Sequence, residues 1–149
     1  MNTPSPAPTS PLYPMEHQQF LADVATTFVE GGGPYSWFQV EASKWWEPKL
    51  EGGTAPPLKT SEGLDGPNRI GRIRCEKKDE EGFDKWQPFT FEIFERGFQR
   101  LIQGPVGGLS ERYRASLIGD YMIRDAGSLD INAVDIVVQA AFYGEIVFS

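Results

Sequence analysis

The sequence predicts an α+β domain with about four helices around a small antiparallel sheet, which is built from a β-hairpin and a C-terminal strand. Three observations predict this fold class. Four segments carry apolar residues at helical spacing, and one segment between them reads as two short strands around a polar turn. Glycine follows three of the predicted helices, at Gly31, Gly104 and Gly144, where it ends them.

Length and composition indicate one folded domain. The chain has 149 residues and is 40% hydrophobic, which is enough for a single core. Residues 1–14 hold five of the twelve prolines and no charged residue, so we expect a disordered tail before a globular domain at 15–149. Cys75 is the only cysteine, and neither a membrane span nor a signal peptide is recognisable, so we expect a cytoplasmic protein.

The first helix is predicted from Glu16 to Glu30, because apolar residues recur on one face and Gly31 and Pro34 follow. A short strand is predicted from Tyr35 to Val40. The segment 47–68 is rich in proline and glycine and predicts a long loop.

The second half of the chain predicts a hairpin followed by three helices. Residues 69–91 form the hairpin, with Gly71 marking a bulge and Pro88 placing the second strand at an edge. The helices are expected at Thr90–Gln103, from the cap Ser110 to Arg124, and from the cap Asp130 to Tyr143. Residues Ile146 to Phe148 are expected to form a strand that joins the sheet.

The scarcity of histidine and cysteine restricts the chemistry that the chain offers. His17 is the only histidine and adjoins the proline-rich tail, so we expect it at the surface and expect no histidine-dependent catalysis. Zinc sites need clustered Cys and His, so no zinc site is predicted. We also expect no other metal and no cofactor. Cys75 is expected to be a structural, half-buried thiol.

The charge of the chain predicts a basic partner. The net charge is -7, so direct binding to nucleic acid is not expected, because that binding requires clustered Lys and Arg. The hairpin turn provides an acidic interaction surface, formed by Glu76, Asp79, Glu80, Glu81 and Asp84. The alternative is a solvated turn, since Lys77, Lys78 and Lys85 dilute its charge.

An aromatic, glycine-rich turn is the second candidate site. Five aromatic residues occur within twelve positions, after the helix-ending Glu30-Gly31-Gly32. Aromatic residues anchor binding hot spots and line ligand pockets. The candidate contact residues are Glu30, Gly31, Gly32, Tyr35, Trp37, Trp45 and Trp46. Core packing is the alternative for Tyr35, Trp37 and Phe38, whereas Trp45 and Trp46 do not both face inward on a strand.

Two motifs resemble a known group of proteins. The segment 26–32 (TTFVEGG), followed by Tyr35 and Trp37, is similar to a helix-ending turn in small uncharacterised proteins of actinobacterial phages and mobile elements. The segments 134–139 (VDIVVQ) and 142–147 (FYGEIV) are similar to the closing helix and strand of the same proteins. Pro34, Ser36 and the proline-rich tail depart from that pattern. The resemblance implies a small accessory protein and transfers no activity.

These observations predict a non-enzymatic accessory protein that binds a host protein, for example an inhibitor of a defence system that targets nucleic acid. A small-ligand or nucleotide-sequestering protein that uses the aromatic turn is one alternative. A self-associating structural or assembly protein is another. An enzyme that uses carboxylates alone would employ Glu30 and Glu145 as acid and base.

Overall fold

The computed structural model describes residues 13–31, 37–42, 59–60, 63–64 and 69–148. Within these residues lie helices and antiparallel strands, so the predicted α+β class is confirmed. The helices are α1 (Met15–Gly31), α2 (Phe91–Gln103), α3 (Glu111–Met122) and α4 (Ile131–Tyr143). The strands are β1 (Phe38–Ala42), β2 (Lys59–Thr60), β3 (Gly63–Leu64), β4 (Arg69–Cys75) and β5 (Gln87–Thr90).

The main sheet has three strands in the order β1-β4-β5, and both pairings are antiparallel. The predicted hairpin is present as β4 and β5. The ladder shifts register between Arg69 and Gly71, and this irregularity accommodates Ile70 as an extra residue. Ile70 is therefore buried, although Arg72 and Arg74, at the same parity along the strand, face outward. Strands β2 and β3 pair separately with each other.

Helices α2 and α4 form the centre of the helical layer, and Gly97 permits their close approach. A Cβ atom at position 97 would lie 2.1 Å from the carbonyl oxygen of Val137. Arginines of α2 also bond the carbonyl end of α4. Arg96 Nε donates to Ala141 O at 3.2 Å, and Arg100 Nε donates to Gly144 O at 3.1 Å. These bonds satisfy carbonyls that a helix end leaves without partners, and they fix the end of α4.

The predicted helix caps are confirmed for α3 and α4. The side chains of Ser110 and Asp130 accept hydrogen bonds from the backbone N–H groups of Tyr113 and Ala133. Helix α4 ends at Gly144, which adopts a left-handed conformation with φ of 73°. The structure thus places Phe142 and Tyr143 at a sharp end of a buried helix.

One aromatic core joins the sheet to the helices. Phe28 of α1 stacks on Phe38 of β1 at 4.4 Å between ring centroids, and it contacts Phe89 of β5 and Phe94 of α2. All four rings are buried. The sheet therefore packs on the helical layer through a continuous apolar contact.

The predicted C-terminal strand is wrong. Residues Ile146 to Phe148 belong to neither sheet. The side chain of Gln139 takes the place of a neighbouring strand, because its Oε1 accepts from the N–H groups of Val147 and Phe148 at 2.7 and 2.8 Å, and its Nε2 donates to Phe148 O. The segment is thereby held against α4.

The expected tail at 1–14 lies outside the described residues apart from Tyr13 and Pro14. Tyr13 packs edge-on against His17, and its hydroxyl donates to Glu92 at 3.3 Å. These two residues are therefore part of the folded domain. The expected loop at 47–68 also lies outside the described residues, except for the short pair β2 and β3.

Candidate protein-interaction site

An open groove of about 480 Å³ lies between the tip of the β4–β5 hairpin and the end of α4. The hairpin contributes charged side chains, and α4 contributes two aromatic rings. The lining residues are Lys77, Lys78, Asp79, Glu80, Asp84, Phe142 and Tyr143. We call this the tip groove.

The walls of the tip groove are connected by two contacts. The Tyr143 hydroxyl donates to the backbone oxygen of Glu76, and Lys78 Nζ forms an ion pair with Glu145. Burial, together with the nearby Cys75, Glu76 and Asp84, raises the pKa of Tyr143. The phenol therefore remains a neutral hydrogen-bond donor, and the hairpin tip is anchored to the helix end.

The carboxylates of the tip groove differ in their internal partners. Glu80 lies 3.5 Å from Lys77 Nζ in an exposed pair, an arrangement that contributes little to stability. Asp79 and Asp84 are exposed and form no ion pair within the described part of the chain. Two carboxylates are thus available to a cation from outside.

The acidic surface predicted from sequence is brought together only in part. Asp79, Glu80 and Asp84 line the tip groove, whereas Glu76 borders it through its backbone oxygen and Glu81 is exposed outside the lining. Phe142 and Tyr143 were not predicted to line this surface. The available signal was an aromatic pair directly before Gly144, the residue that ends α4.

The aromatic turn is described only at some of its positions. Gly32, Tyr35, Trp45 and Trp46 lie outside the described residues. Trp37 is 4% exposed, donates from Nε1 to Asp135 at 3.1 Å and stacks on Phe148 at 5.6 Å. Trp37 is therefore a core residue, as the packing alternative expected, and presents almost no surface to a partner.

Glu30 and Gly31 have separate environments. Glu30 is exposed at the end of α1. A Cβ at Gly31 would lie 2.8 Å from the side chain of Ile131, so this glycine permits contact with the start of α4. Glu145 follows the other end of α4, whose 13 residues span about 20 Å at 1.5 Å each. The structure does not bring Glu30 and Glu145 together as an acid–base pair.

The prediction that His17 lies at the surface is also wrong, because the residue is buried. The residue is only 5% exposed, and its Nε2 lies 2.6 Å from Glu95 Oε1. The other oxygen of Glu95 accepts from Tyr121 at 2.6 Å and from Gln99 at 3.0 Å. Sequence proximity to the proline-rich tail concealed a partner that lies 78 positions away.

The His17 network is enclosed rather than open to a substrate. His17 Nδ1 is buried and has no hydrogen-bond partner among the described residues, and the rings of Tyr13, Phe20 and Tyr121 contact the imidazole. Burial raises the pKa of Glu95, but hydrogen bonds from His17, Tyr121 and Gln99 outweigh that effect and hold it below its usual value. The network ties α1 to α2 and α3.

The described residues contain neither an ionised thiol nor a cluster of metal ligands. Burial, with a smaller contribution from the charge of Asp84, raises the pKa of the Cys75 thiol to about 12, so the thiol stays protonated. Among the described residues, no group of three or more His, Cys, Asp or Glu side chains is placed to hold a metal ion. None of the helices described is both long and apolar enough to span a bilayer.

Comparisons with models of protein families, with curated proteins and with solved structures find no match for this chain.

Proposed function

We propose that this chain is a non-enzymatic accessory protein that binds a basic segment of a host protein in the tip groove. The single observation that supports the proposal is the juxtaposition of Asp79 and Asp84 with the aromatic end of α4. The partner segment would present an arginine or a lysine to these carboxylates.

The chemistry of the groove suits a cationic side chain with a long stem. A carboxylate accepts two parallel N–H donors from a guanidinium in a charge-assisted pair. The rings of Phe142 and Tyr143 offer an apolar surface on which the methylene stem packs. The Arg96 guanidinium already lies 5.6 Å from the ring centroid of Phe142, so this ring tolerates a neighbouring cation.

The overall charge supports the same partner. A net charge of -7 attracts a basic surface at long range and accelerates association. Proteins that bind nucleic acid carry such surfaces, since their grooves neutralise phosphate. The resemblance to phage proteins suggests a cytoplasmic host partner, and a defence nuclease would combine both properties.

The test compares two double variants in which the same number of carboxylates is neutralised. The first, Asp79→Asn with Asp84→Asn, alters the tip groove. The second, Glu16→Gln with Asp23→Asn, alters two exposed acids on α1. Tagged full-length chains are used to capture proteins from an actinobacterial lysate, and native mass spectrometry then gives the stoichiometry.

We expect the wild type and the α1 variant to retain one stoichiometric protein. The groove variant should bind it at least about tenfold more weakly, because hydrogen bonds to charged groups contribute about 1.5–3 kcal/mol each. Raising the ionic strength from about 0.1 M to about 1 M should also release it, since the Debye length falls from about 10 Å to about 3 Å.

Three results would contradict the proposal. Equal retention by the groove variant would place the interface elsewhere on the chain. A bound species of a few hundred daltons would favour the ligand-sequestering alternative, which depends on the aromatic turn. A concentration-dependent homo-oligomer without a host protein would favour the structural alternative.

A further inference from the structure

The outer face of the three-stranded sheet carries an ordered pair of arginines. Arg74 and Arg72 of β4 lie opposite Gln39 and Glu41 of β1 in the antiparallel register. Arg74 Nε donates to Gln39 Oε1 at 2.7 Å, and Arg72 Nε donates to Glu41 Oε2 at 2.8 Å. Each guanidinium is thus fixed through the nitrogen nearest its stem.

Aromatic rings lie beside the same guanidinium groups. The Cζ atoms of Arg72 and Arg74 lie 4.2 and 4.7 Å from the ring centroid of Trp86, and Arg74 Cζ lies 5.1 Å from that of Phe83. Trp86 and Phe83 are themselves half-buried. We call this set of residues, Arg72, Arg74, Phe83 and Trp86, the arginine face.

The arginine face is accessible and locally basic. The Arg72 side chain is 47% exposed, and Arg74, which lies beside it on the same face, is half-buried. Glu41 forms an ion pair with Arg72 and also lies near enough to Arg74 to interact with its charge, but Arg74 forms no ion pair of its own among the residues that the structure describes. This surface therefore opposes the net charge of -7 that the chain carries as a whole.

We propose that the arginine face binds a carboxylate-bearing segment of a partner protein, with the Arg74 guanidinium as its anchor. The stem-side nitrogen of Arg74 donates to Gln39, and the rings of Phe83 and Trp86 lie beside the group, so the two terminal nitrogens are the donors left for a partner. The fork that these two nitrogens form binds an Asp or Glu carboxylate through two parallel hydrogen bonds.

The two arginines are ordered before a partner binds, and this favours binding. Binding normally costs the entropy of ordering a long side chain, about 0.5–1.5 kcal/mol for each one immobilised. Stacking on Trp86 has already restricted both arginines before any partner arrives. A short acidic peptide suits the face better than nucleic acid, because a longer polyanion would extend toward Asp79, Glu80 and Glu81 at the tip of the same hairpin.

This surface is distinct from the tip groove and is tested separately. The probe is a fluorescein-labelled decapeptide of alternating Glu and Gly, and a decapeptide of alternating Gln and Gly is its uncharged counterpart. Binding to the full-length chain is measured by fluorescence anisotropy at low ionic strength. We expect the Glu peptide to bind and the Gln peptide not to bind.

The variants separate the anchored fork from general positive charge. Arg74→Gln should weaken binding of the Glu peptide by about tenfold, the effect of one charge-assisted pair. Arg112→Gln removes an equivalent charge from the exposed surface of α3 and should leave the affinity within about twofold. Arg74→Lys keeps the charge without the fork and should lose most of the affinity that Arg74→Gln loses.

Circular dichroism of each variant shows whether its fold is intact. Trp86→Leu provides a second test, because it leaves both arginines in place and should still weaken binding of the Glu peptide. Absence of binding by the Glu peptide overturns the proposal. Equal losses in Arg74→Gln and Arg112→Gln also overturn it. If a single-stranded oligonucleotide of the same charge bound more tightly than the Glu peptide, and this binding depended on Arg74, the proposal would be overturned and the partner would be nucleic acid.

Discussion

At the scale of single residues, Glu95 organises the contact between three helices. One carboxylate oxygen meets His17 of α1, and the other meets Tyr121 of α3 and Gln99 of its own helix. The side chain is 21% exposed, so water contributes little to its solvation. A buried carboxylate with so many donors stabilises the fold only while it is ionised.

The lowered pKa of Glu95 predicts a pH-dependent contribution to stability. A carboxyl whose pKa is lower in the folded state stabilises the protein above the unfolded pKa, about 4.3 for Glu, and that contribution is lost as the pH falls through the folded pKa. We expect Glu95→Gln to lower the free energy of unfolding by about 2 kcal/mol at neutral pH. Urea denaturation across a pH series measures the difference from wild type.

That difference should shrink as the pH falls below about 4.3. Glu81→Gln, at an exposed position of the hairpin tip, is the matched control and should stay within about 0.5 kcal/mol of wild type. A Glu95→Gln difference that persists unchanged into acid would mean that ionisation of Glu95 does not stabilise the fold.

At the scale of elements, the spacing of α2 and α4 depends on the missing side chain of Gly97. A Cβ there would meet both the carbonyl oxygen of Val137, at 2.1 Å, and its Cγ1 atom, at 2.7 Å. Backbone does not yield as a flexible side chain does, so the helices would have to separate. Gly119 in α3 offers a comparison, because nothing lies within 4 Å of a Cβ built there.

Alanine at these two positions should therefore have opposite effects. Gly97→Ala should lower the free energy of unfolding by about 1–3 kcal/mol or more, because it overpacks the α2–α4 contact. Gly119→Ala should raise it by about 0.5–1 kcal/mol, because alanine restricts the unfolded chain and favours a helix. Urea denaturation of both variants gives the values, and equal stabilities would contradict the close approach of the two helices.

Local signals predicted the elements better than the contacts between them. The caps Ser110 and Asp130, the stop at Gly144 and the apolar face of α1 act over a few residues, and the structure contains each one. The burial of His17 depends on Glu95, which lies in another helix, so its environment was not readable from its neighbours. The apolar run at 146–148 resembled a strand, but its N–H groups donate to Gly107 O and to the side chain of Gln139 instead of to a neighbouring strand.

The candidate surfaces follow the same division. The carboxylates of the hairpin tip were visible as a charged turn, whereas Phe142 joins them only because α4 ends beside that turn. The alternation of Arg72 and Arg74 with buried Ile73 and Cys75 was also readable from the sequence. Their stacking on Trp86 depends on the pairing of β4 with β5, and that pairing fixes the register.

At the scale of the whole molecule, both proposed surfaces include residues of the β4–β5 hairpin, so the attachment of the sheet to the helices matters for either. Phe28 contributes to that attachment in the core, since its ring contacts Phe38 in β1, Phe89 in β5 and Phe94 in α2. A single buried ring that serves both layers should make sheet and helices unfold together.

Phe28→Ala should therefore destabilise both layers equally. The expected loss is about 3–5 kcal/mol, the usual cost of truncating a buried phenylalanine. Native-state hydrogen exchange measured on peptides from β4 and from α4 should report the same loss of protection in each. Met122 is 63% exposed, so Met122→Ala should change the protection of neither β4 nor α4 by more than about 0.5 kcal/mol. If β4 lost protection while α4 kept it, the hairpin would be a separate folding unit, and the tip groove would open whenever that unit unfolded.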